Sequence, residues 1–370
     1  MSHGGDIFRN RVNTDFSVNL NPLGTPGAVM EAVRASLGNA AHYPDPEQEE
    51  VRSAIARSAG LDMRCVYAGN GASELIMAAV RAVSPKRALL FEPAFAGYGH
   101  ALRAAGCEIV RQTLSAENGF ALTRKDAAAL GEGGGERIDL VFLCDPANPT
   151  GVNIDEEVLT LILDAAEENG TFVCLDESFF LMSEKAARKE IAARADLVRK
   201  YSRLFIVRSL TKILALPGIR TGYLLSCPDN IDGVRRQLPE WNLPVTGEAA
   251  IREGIRILGE TDYVHRALEL IRAEREFLTG ELRGLGIEVL DSDTSFLLLK
   301  GPCDLYEELL AREILIRDCS DFEGLSGGYY RIAVKSRQDN EKFIRIVREI
   351  MHGGRGKKVM RRDQHDTDDH

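Results

Sequence analysis

The sequence predicts an α/β protein with a mostly parallel sheet between helices, followed by a smaller α+β unit. Between residues 66 and 225, short apolar runs alternate with stretches of helical periodicity. Such alternation requires crossover connections, and these cover both faces of a parallel sheet with helices. After about Pro244 the pattern changes to long amphipathic helices with a few clustered strands. The 370 residues are enough for two domains packed together.

Each predicted strand of the large sheet is a short apolar run bounded by Gly, Pro or charged residues. They are 66–68, 88–91, 108–112, 140–144, 171–175, 204–207 and 222–225. Helical periodicity of 3.6 residues occurs before and between them, at 28–37, 47–59, 75–83, 95–105 and 156–168. The last third of the chain predicts helices 246–257, 262–284 and 340–351, with strands 295–300, 313–316 and 329–334.

These patterns divide the chain into four predicted parts. Residues 1–44 form an amino-terminal arm and linker that contributes to the active site, and residues 45–245 form the large domain. Residues 246–352 form a small carboxy-terminal domain. Residues 353–370 have dense charge and no periodicity, which predicts a disordered tail.

The composition excludes several classes of protein. A formal net charge of −10 argues against nucleic-acid or anionic-membrane partners. No apolar run approaches the roughly 18 residues that span a bilayer, and none opens the chain as a secretory signal. The seven cysteines are an odd number without a Cys-x-x-Cys pair. We therefore expect a cytoplasmic protein without disulfides or a metal site.

One stretch concentrates chemically useful side chains at the end of a predicted strand. The apolar run 204–207 leads into Ser209, Thr211 and Lys212, and Arg220 follows eight positions later. A lysine held in an apolar wall has a lowered pKa, and its neutral amine can attack a carbonyl group. Taken alone, the stretch is equally compatible with a solvated loop that carries ordinary surface cations.

Other distinctive residues also follow predicted strands. The turn 69–73 opens a helix, where backbone N–H groups could hold a phosphate, although a purely structural turn is more common. The prolines of segment 145–151 would present the Asn148 amide rigidly, and Asp176 closes an apolar strand. Open α/β sheets bind ligands beyond the carboxyl ends of their strands. Together these groups suit an anionic aromatic aldehyde with a basic ring nitrogen.

Four motifs, in this order, resemble those of the fold type I pyridoxal-phosphate enzymes, the class I/II aminotransferase superfamily. They are Asn148-Pro149-Thr150-Gly151, Asp176-Glu177-Ser178-Phe179, Ser209-Leu210-Thr211-Lys212 and Pro217-Gly218-Ile219-Arg220. The resemblance extends over nearly the whole chain. It implies the fold type I architecture and pyridoxal 5′-phosphate as the cofactor.

The same resemblance implies roles for individual residues. Lys212 would bind the cofactor covalently and act in catalysis, and Asp176 would pair with the protonated ring nitrogen, which keeps the ring an electron sink. Asn148 would donate a hydrogen bond to the ring hydroxyl. The expected phosphate ligands are Gly71, Ala72, Ser209, Thr211 and Arg220.

Further expectations concern aromatic and substrate-binding residues. Phe95 would stack on the cofactor ring, and Tyr43 would reach the phosphate of the neighbouring subunit, which implies a homodimer. For both aromatic residues, ordinary core packing is the alternative. Arg331 would grip the substrate carboxylate with its guanidinium fork, and Asn19 would line the site.

Phe179 departs from the usual aminotransferase pattern, which has Tyr at this position. Phe179 and several segments resemble the threonine-phosphate decarboxylases more specifically than the histidinol-phosphate aminotransferases. The segments are His3-Gly4-Gly5, 16–24, 208–212, 314–319 and 329–334 with Arg337. Lys335 stands where that family would have arginine.

This resemblance implies decarboxylation of L-threonine O-3-phosphate to (R)-1-amino-2-propanol O-2-phosphate and CO2, for the cobalamin nucleotide loop. His3, Lys335 and Arg337 are the candidates for binding the substrate phosphate, and for His3 a frayed terminus is the alternative. A histidinol-phosphate-type aminotransferase that uses 2-oxoglutarate is the second hypothesis. A regulatory sensor with an aminotransferase-like domain is a remote third, because no DNA-binding segment precedes the core.

Overall fold

A computed structural model describes residues 4–128, 130, 137–188 and 194–362, with backbone alone at 187–188 and 354–362. Its strands form a seven-stranded sheet, a four-stranded sheet and one two-stranded pair. The strands are β1 (Thr14–Asp15), β2 (Val66–Gly69), β3 (Arg87–Glu92), β4 (Glu108–Thr113), β5 (Leu140–Cys144), β6 (Phe172–Asp176), β7 (Leu204–Ser209), β8 (Gly222–Leu225), β9 (Glu288–Val289), β10 (Phe296–Lys300), β11 (Ile314–Leu315), β12 (Arg317–Asp318) and β13 (Tyr329–Ala333).

Helices precede, separate and follow these strands. They are α1 (Gly27–Ser36), α2 (Glu49–Ala59), α3 (Ala72–Val83), α4 (Ala96–Ala104), α5 (Arg124–Ala128), α6 (Glu156–Asn169), α7 (Glu184–Arg188), α8 (Ala195–Lys200), α9 (Leu210–Ile213), α10 (Pro228–Arg235), α11 (Val245–Glu260), α12 (Tyr263–Gly284), α13 (Leu305–Leu310) and α14 (Arg337–Arg362). Short 3-10 turns lie at Leu37–Asn39, Met63–Cys65, Ala116–Asn118 and Phe180–Met182.

The large sheet has the strand order β2-β8-β7-β6-β5-β3-β4. Neighbours from β7 to β4 pair in parallel, whereas β8 runs antiparallel to both β2 and β7. Every residue of β7 and β8 is buried, because helices cover both faces of the sheet and leave no solvated face. The carboxyl ends of β5, β6 and β7 therefore come together at one edge.

Local chemistry sets the ends of the helices, as α6 illustrates. The Asp155 side chain accepts hydrogen bonds from the N–H groups of Glu157 and Val158 and so caps the first turn. Glu156 and Glu157 add negative charge where the helix dipole is positive. Gly170, at φ +68°, ends the helix in the left-handed conformation that glycine adopts without strain.

The second sheet is antiparallel, with the order β12-β13-β10-β9. Its apolar residues pack with α12, α13 and α14 in a core of their own, which includes Leu278, Leu297, Ile332 and Phe343. The amino-terminal strand β1 pairs in parallel with β11. This pairing brings residues near the start of the chain beside the carboxy-terminal sheet.

The predicted fold class is confirmed: a mostly parallel sheet between helices, with a separate smaller antiparallel sheet. Two local expectations differ from the structure. The predicted strand 313–316 ends at Leu315, and β12 begins at Arg317. Helix α14 continues to Arg362, inside the segment predicted to be disordered. Residues 363–370 lie outside the described part, and the four-part domain division stays a prediction.

Among the described residues, no helix combines the length and apolarity needed to cross a membrane. The same residues contain no cluster of three or more His, Cys, Asp or Glu side chains arranged to hold a metal ion.

Candidate active site

A cavity of about 200 Å³ opens beside the carboxyl ends of β5, β6 and β7. Residues from the amino-terminal segment, the large sheet and the small sheet all line it. The predicted site residues in its wall are Asn19, Ala72, Phe95, Asn148, Asp176, Ser209, Thr211, Lys212, Arg220 and Arg331. The structure thus gathers residues that are up to 312 positions apart (331 − 19) around one cavity.

Lys212 lies in the short helix α9, directly after β7. Burial, together with the nearby charges of Arg331 and Arg220, lowers the pKa of its amine to about 8. Its Nζ stands 5.9 Å from the centre of the Phe179 ring. Lys212 is therefore a recessed amine, and a substantial fraction of it is neutral and nucleophilic just above neutral pH.

Asp176 closes β6 and is 4% exposed. Its Oδ2 accepts a hydrogen bond from the Tyr98 hydroxyl at 2.7 Å, and its Oδ1 accepts one from the Ser178 N–H at 2.9 Å. Burial raises the pKa of this carboxyl, while the hydrogen bonds from Ser178 and Tyr98 oppose that rise. A buried carboxylate without an ion-pair partner is costly, and a protonated pyridine nitrogen would supply the missing positive charge.

One corner of the site, which could hold an anion, lies where Arg220 meets Gly71. Gly71 has φ +81° and directly precedes α3. A Cβ at Gly71 would lie 2.9 Å from an Arg220 guanidinium nitrogen, so a side chain there would displace the cation. The Gly71 N–H already donates to Gly69 O at 2.8 Å. The available donors at this corner are therefore the Arg220 guanidinium and the first turn of α3, which begins at Ala72.

Ser209 and Thr211 flank the same corner but differ in their bonding. Ser209 ends β7 and precedes α9, and its hydroxyl caps no helix N–H. The Thr211 hydroxyl instead donates to Thr221 O at 3.2 Å, and its residue is 1% exposed. Ser209 is consequently the better placed of the two to bind a phosphate oxygen.

Arg331 lies on β13 of the small sheet, and it lines the cavity. Its Nη2 donates to Ser17 O at 3.0 Å, and its Nη1 donates to Asn148 Oδ1. Burial lowers the pKa of Arg331 to about 10. Among the described residues, neither its buried Nε nor the buried Asn19 Oδ1 has a hydrogen-bond partner. Both residues line the cavity, where a bound ligand could pair with these atoms.

The residues present fit pyridoxal phosphate. Lys212 offers a recessed amine for its aldehyde, and Asp176 offers a buried negative charge for its ring nitrogen. Arg220, pressed against Gly71, offers a cation for its phosphate. Phe95 lines the cavity beside these groups with an aromatic ring.

Some predicted residues lie elsewhere. Tyr43 is 80% exposed and packs on Trp241, with ring centres 4.9 Å apart. Lys335 stands 5.8 Å from the Phe16 ring. Arg337 donates to Glu274 at 2.9 Å and lies on the small unit, and neither cation is in the described wall of the cavity. His3 lies outside the described residues.

The sequence interpretation missed two polar residues at the site. Arg317 is 5% exposed, lines the cavity and donates to Asp321 at 2.6 Å. It lies within segment 314–319, so the signal was present without an assigned role. Tyr98 lies behind the cavity and donates to Asp176. Its position three residues after Phe95, one helical turn along α4, was the available signal.

Behind the site, the neighbours of Asp176 and Ser209 form a buried ion cluster. Glu177 accepts from Arg208 Nε at 2.8 Å and pairs with Arg194 Nε at 3.2 Å. Arg194 also donates to Asp145 at 2.5 Å, and Lys185 pairs with Asp145 at 3.1 Å. Successive strand residues point to opposite faces of a sheet, which separates this cluster from the cavity.

Comparison with known proteins agrees with this geometry. The family described as "Aminotransferase class I and II" matches residues 12–347. The chain is 33% identical to the threonine-phosphate decarboxylase of Salmonella typhimurium over 92% of this chain and 91% of the relative.

Two solved structures share the fold at similar coverage. The L-threonine-O-3-phosphate decarboxylase from Porphyromonas gingivalis superposes with a TM-score of 0.76 and 25% identity, over 91% of this chain and 99% of the other. The histidinol-phosphate aminotransferase from Clostridium acetobutylicum superposes with a TM-score of 0.82 and 28% identity, over 92% and 99%. The chain therefore belongs to the aminotransferase class I and II family and is a pyridoxal-phosphate-dependent enzyme.

Proposed function

We propose that the enzyme decarboxylates L-threonine O-3-phosphate to (R)-1-amino-2-propanol O-2-phosphate and CO2, a product that enters the cobalamin nucleotide loop. The observation that carries this proposal is a pair of buried arginines, Arg317 and Arg331, in the wall that also holds Lys212. Two recessed cations suit an amino acid that bears both a carboxylate and a phosphate. Histidinol phosphate bears a phosphate but no carboxylate, so in the alternative reaction a carboxylate-binding arginine would serve only the co-substrate 2-oxoglutarate.

Arg331 is the better candidate for the carboxylate. Its Nε has no partner in the described protein, and its other two nitrogens are fixed by Asn148 and Ser17. A substrate carboxylate would thus meet a guanidinium that is already oriented. Arg317, 5% exposed, would then face the substrate phosphate. His3, Lys335 and Arg337 remain the candidates proposed from the sequence alone.

Six residues would hold the cofactor. Lys212 would bind its aldehyde, Asp176 its ring nitrogen, and Ser209 and Arg220 its phosphate, with Phe95 against the ring. Asn148 would share its amide between the ring hydroxyl and Arg331, since its Oδ1 already accepts from that guanidinium. When bound, pyridoxal phosphate supplies an electron sink for the pair left at the substrate Cα.

Lys212 would also handle the proton that decarboxylation requires. With a pKa near 8, its released amine is largely an ammonium group at neutral pH and can donate a proton from Nζ to the substrate Cα. Phe179 stands beside that nitrogen, and its ring packs edge-on against Phe296 with centres 4.9 Å apart. The phenyl ring offers no hydroxyl and presents an apolar surface on this side of the amine.

A homodimer would complete the site. Tyr43 is exposed and lies outside the cavity of its own chain, as expected of a residue that serves a neighbouring subunit. The adjacent Trp241 is 48% exposed, so the two aromatic rings form an exposed patch suited to burial against a second copy.

The alternative is a histidinol-phosphate-type aminotransferase. The superposition on the Clostridium acetobutylicum enzyme, with a TM-score of 0.82, supports it as the second candidate. In that reaction Lys212 would take the Cα proton, and 2-oxoglutarate would be consumed.

Two parallel incubations separate the candidates. The holoenzyme is given L-threonine O-3-phosphate alone, or histidinol phosphate with 2-oxoglutarate. The proposal predicts CO2 release in the first incubation without any oxo acid. Glutamate formation in the second, with no CO2 in the first, would refute it.

A further inference from the structure

Asp176 accepts a hydrogen bond from Tyr98, a residue that does not line the cavity. The Tyr98 hydroxyl donates to Asp176 Oδ2 at 2.7 Å, and Tyr98 is 2% exposed. Burial raises the pKa of Tyr98 well above its ordinary value, so the hydroxyl stays protonated and acts as a donor. The direction of the hydrogen bond is thereby fixed, from the tyrosine to the carboxylate.

The Tyr98 ring is immobilised on two sides. It stacks on Phe142 with centres 4.7 Å apart and an interplanar angle of 11°. It meets Phe95 edge-on at 5.5 Å and 83°. Phe142 belongs to β5 and Phe95 precedes α4, so the hydroxyl is positioned by the sheet and by the helix that follows β3.

The other groups around Asp176 show what the Tyr98 hydroxyl contributes. Cys174 is buried and Cys144 is half-buried beside Asp176, and desolvation raises the pKa of both thiols, which keeps them neutral. Glu177 is negative and lies one residue along the chain, and it raises the pKa of Asp176 rather than lowering it. The Tyr98 hydroxyl therefore works with the Ser178 donor to keep the carboxylate ionised in a buried environment.

We propose that Tyr98 is a positioning residue that keeps Asp176 ionised, so that the proton shared with the cofactor resides on the ring nitrogen. This inference rests on the proposed placement of that nitrogen at Asp176. Without the hydroxyl, the carboxylate becomes more basic and competes for the proton. A ring that loses it is a weaker electron sink.

The test measures where that proton lies. Holoenzyme is prepared with pyridoxal phosphate labelled with 15N at the ring nitrogen, and the chemical shift is recorded for wild type and Tyr98→Phe. Loss of a hydrogen bond to a charged group changes that group's pKa by roughly one unit or more. We therefore expect the proton to shift about tenfold from the ring nitrogen toward Asp176. The signal should move measurably toward the unprotonated position.

Two controls separate this inference from its premises. Tyr201→Phe removes a hydroxyl that also donates to an aspartate, Asp164, at 2.7 Å but away from the cavity, and it should leave the signal unchanged. Asp176→Asn should shift the signal strongly if the nitrogen lies there. A shift in Asp176→Asn with none in Tyr98→Phe would overturn the role of Tyr98. No shift in Asp176→Asn would refute the placement itself.

A second variant serves if Tyr98→Phe does not fold. Site-specific 3-fluorotyrosine at position 98 retains the ring and makes the hydroxyl a stronger donor. We expect apoenzyme carrying it to bind pyridoxal phosphate a few-fold more tightly, about 1 kcal/mol or less, and to bind the analogue with carbon in place of the ring nitrogen unchanged. An equal change for both ligands, or none for either, would overturn the inference.

Discussion

Asp176 and Glu177 are adjacent carboxylates with opposite surroundings. Glu177 and its partners Arg194 and Arg208 lie behind the sheet as a closed set of ion pairs at 2.8–3.2 Å. Asp176 faces the cavity with hydrogen bonds from Tyr98 and Ser178, and its pKa is raised by burial. The end of β6 thus leaves Asp176 without an ion-pair partner, available to a ligand, while Glu177 directly after it anchors the scaffold, as expected of functional sites.

Arg208 and Lys212, on and just after the neighbouring strand β7, differ in the same way. Arg208 is buried and paired with Glu177, while four positions later Lys212 is buried with a pKa lowered to about 8. Charge that is satisfied within the protein contributes to rigidity. Charge that is left unsatisfied is available for the cofactor and the substrate.

The largest effect should come from removing the cavity lysine. Lys212→Ala should lose covalent cofactor binding and reduce kcat by about 10⁴-fold or more, since the nucleophile and the proton donor are lost together. Visible absorbance and borohydride reduction measure the first effect, and product formation the second. Lys300→Ala, at an exposed end of β10, is the matched control and should change neither. Retained borohydride-sensitive absorbance in Lys212→Ala would contradict the assignment.

The two adjacent carboxylates, Asp176 and Glu177, can each be exchanged for an amide in the apoenzyme. Glu177→Gln should lower the free energy of unfolding by about 3 kcal/mol, because it leaves buried guanidinium groups without a counter-charge. Asp176→Asn should change it by less than about 1 kcal/mol, because it removes a charge that lacks an ion-pair partner. Urea unfolding of both variants measures the difference. Equal losses would mean that the two regions do not differ as described.

The two candidate phosphate-binding arginines should also differ. Arg317→Met should raise KM for threonine phosphate about tenfold or more, with little change in folding, because a charge-assisted hydrogen bond is lost. Arg337→Met should change KM less than about twofold, because Arg337 lies outside the cavity wall that Arg317 lines. Steady-state kinetics measure both values. The reverse order would place the substrate phosphate nearer to α14.

The smallest effect is a shift in pH dependence. The rate at which the apoenzyme captures pyridoxal phosphate should rise about tenfold per pH unit up to pH 8 and then level off, because the neutral amine of Lys212 reacts. Arg331→Met should move the midpoint upward, since the charge of Arg331 lowers this pKa. Stopped-flow absorbance measures the profile, and a midpoint near 10.5, the ordinary value for lysine, would contradict the burial of Lys212.

The sign of the stability linkage follows from the same pKa. Lys212 binds its proton less tightly in the folded chain than in the unfolded chain, whose value is 10.5. The unfolded state therefore binds more protons between pH 8 and 10.5. Lys212 should consequently make the free energy of unfolding of the apoenzyme rise across that window.

The sequence predicted the strand-end residues well and the cross-element contacts poorly. Asp176, Ser209 and Lys212 could be placed because each follows an apolar run that marks where its strand ends. Arg317 and Tyr98 could not be assigned, because their contacts depend on the register of β12 against β13 and on the rotation of α4. Those quantities are set by packing between distant segments.

A similar limit applied to the proposed substrate-phosphate residues. Lys335 and Arg337 follow β13 closely in the chain and were candidates by their positions in the resembled family. The turn into α14 instead directs Arg337 to Glu274 on α12. Sequence proximity does not determine which side of a turn a side chain occupies.

The measurement that tests the central proposal most directly follows the carboxylate carbon. L-threonine O-3-phosphate labelled with 13C at the carboxylate is incubated with holoenzyme in D2O, without any oxo acid. The proposal predicts labelled bicarbonate and an equal amount of aminopropanol phosphate with one deuterium at the former Cα. Retention of the label in a 2-oxo acid, with turnover only when 2-oxoglutarate is added, would contradict it.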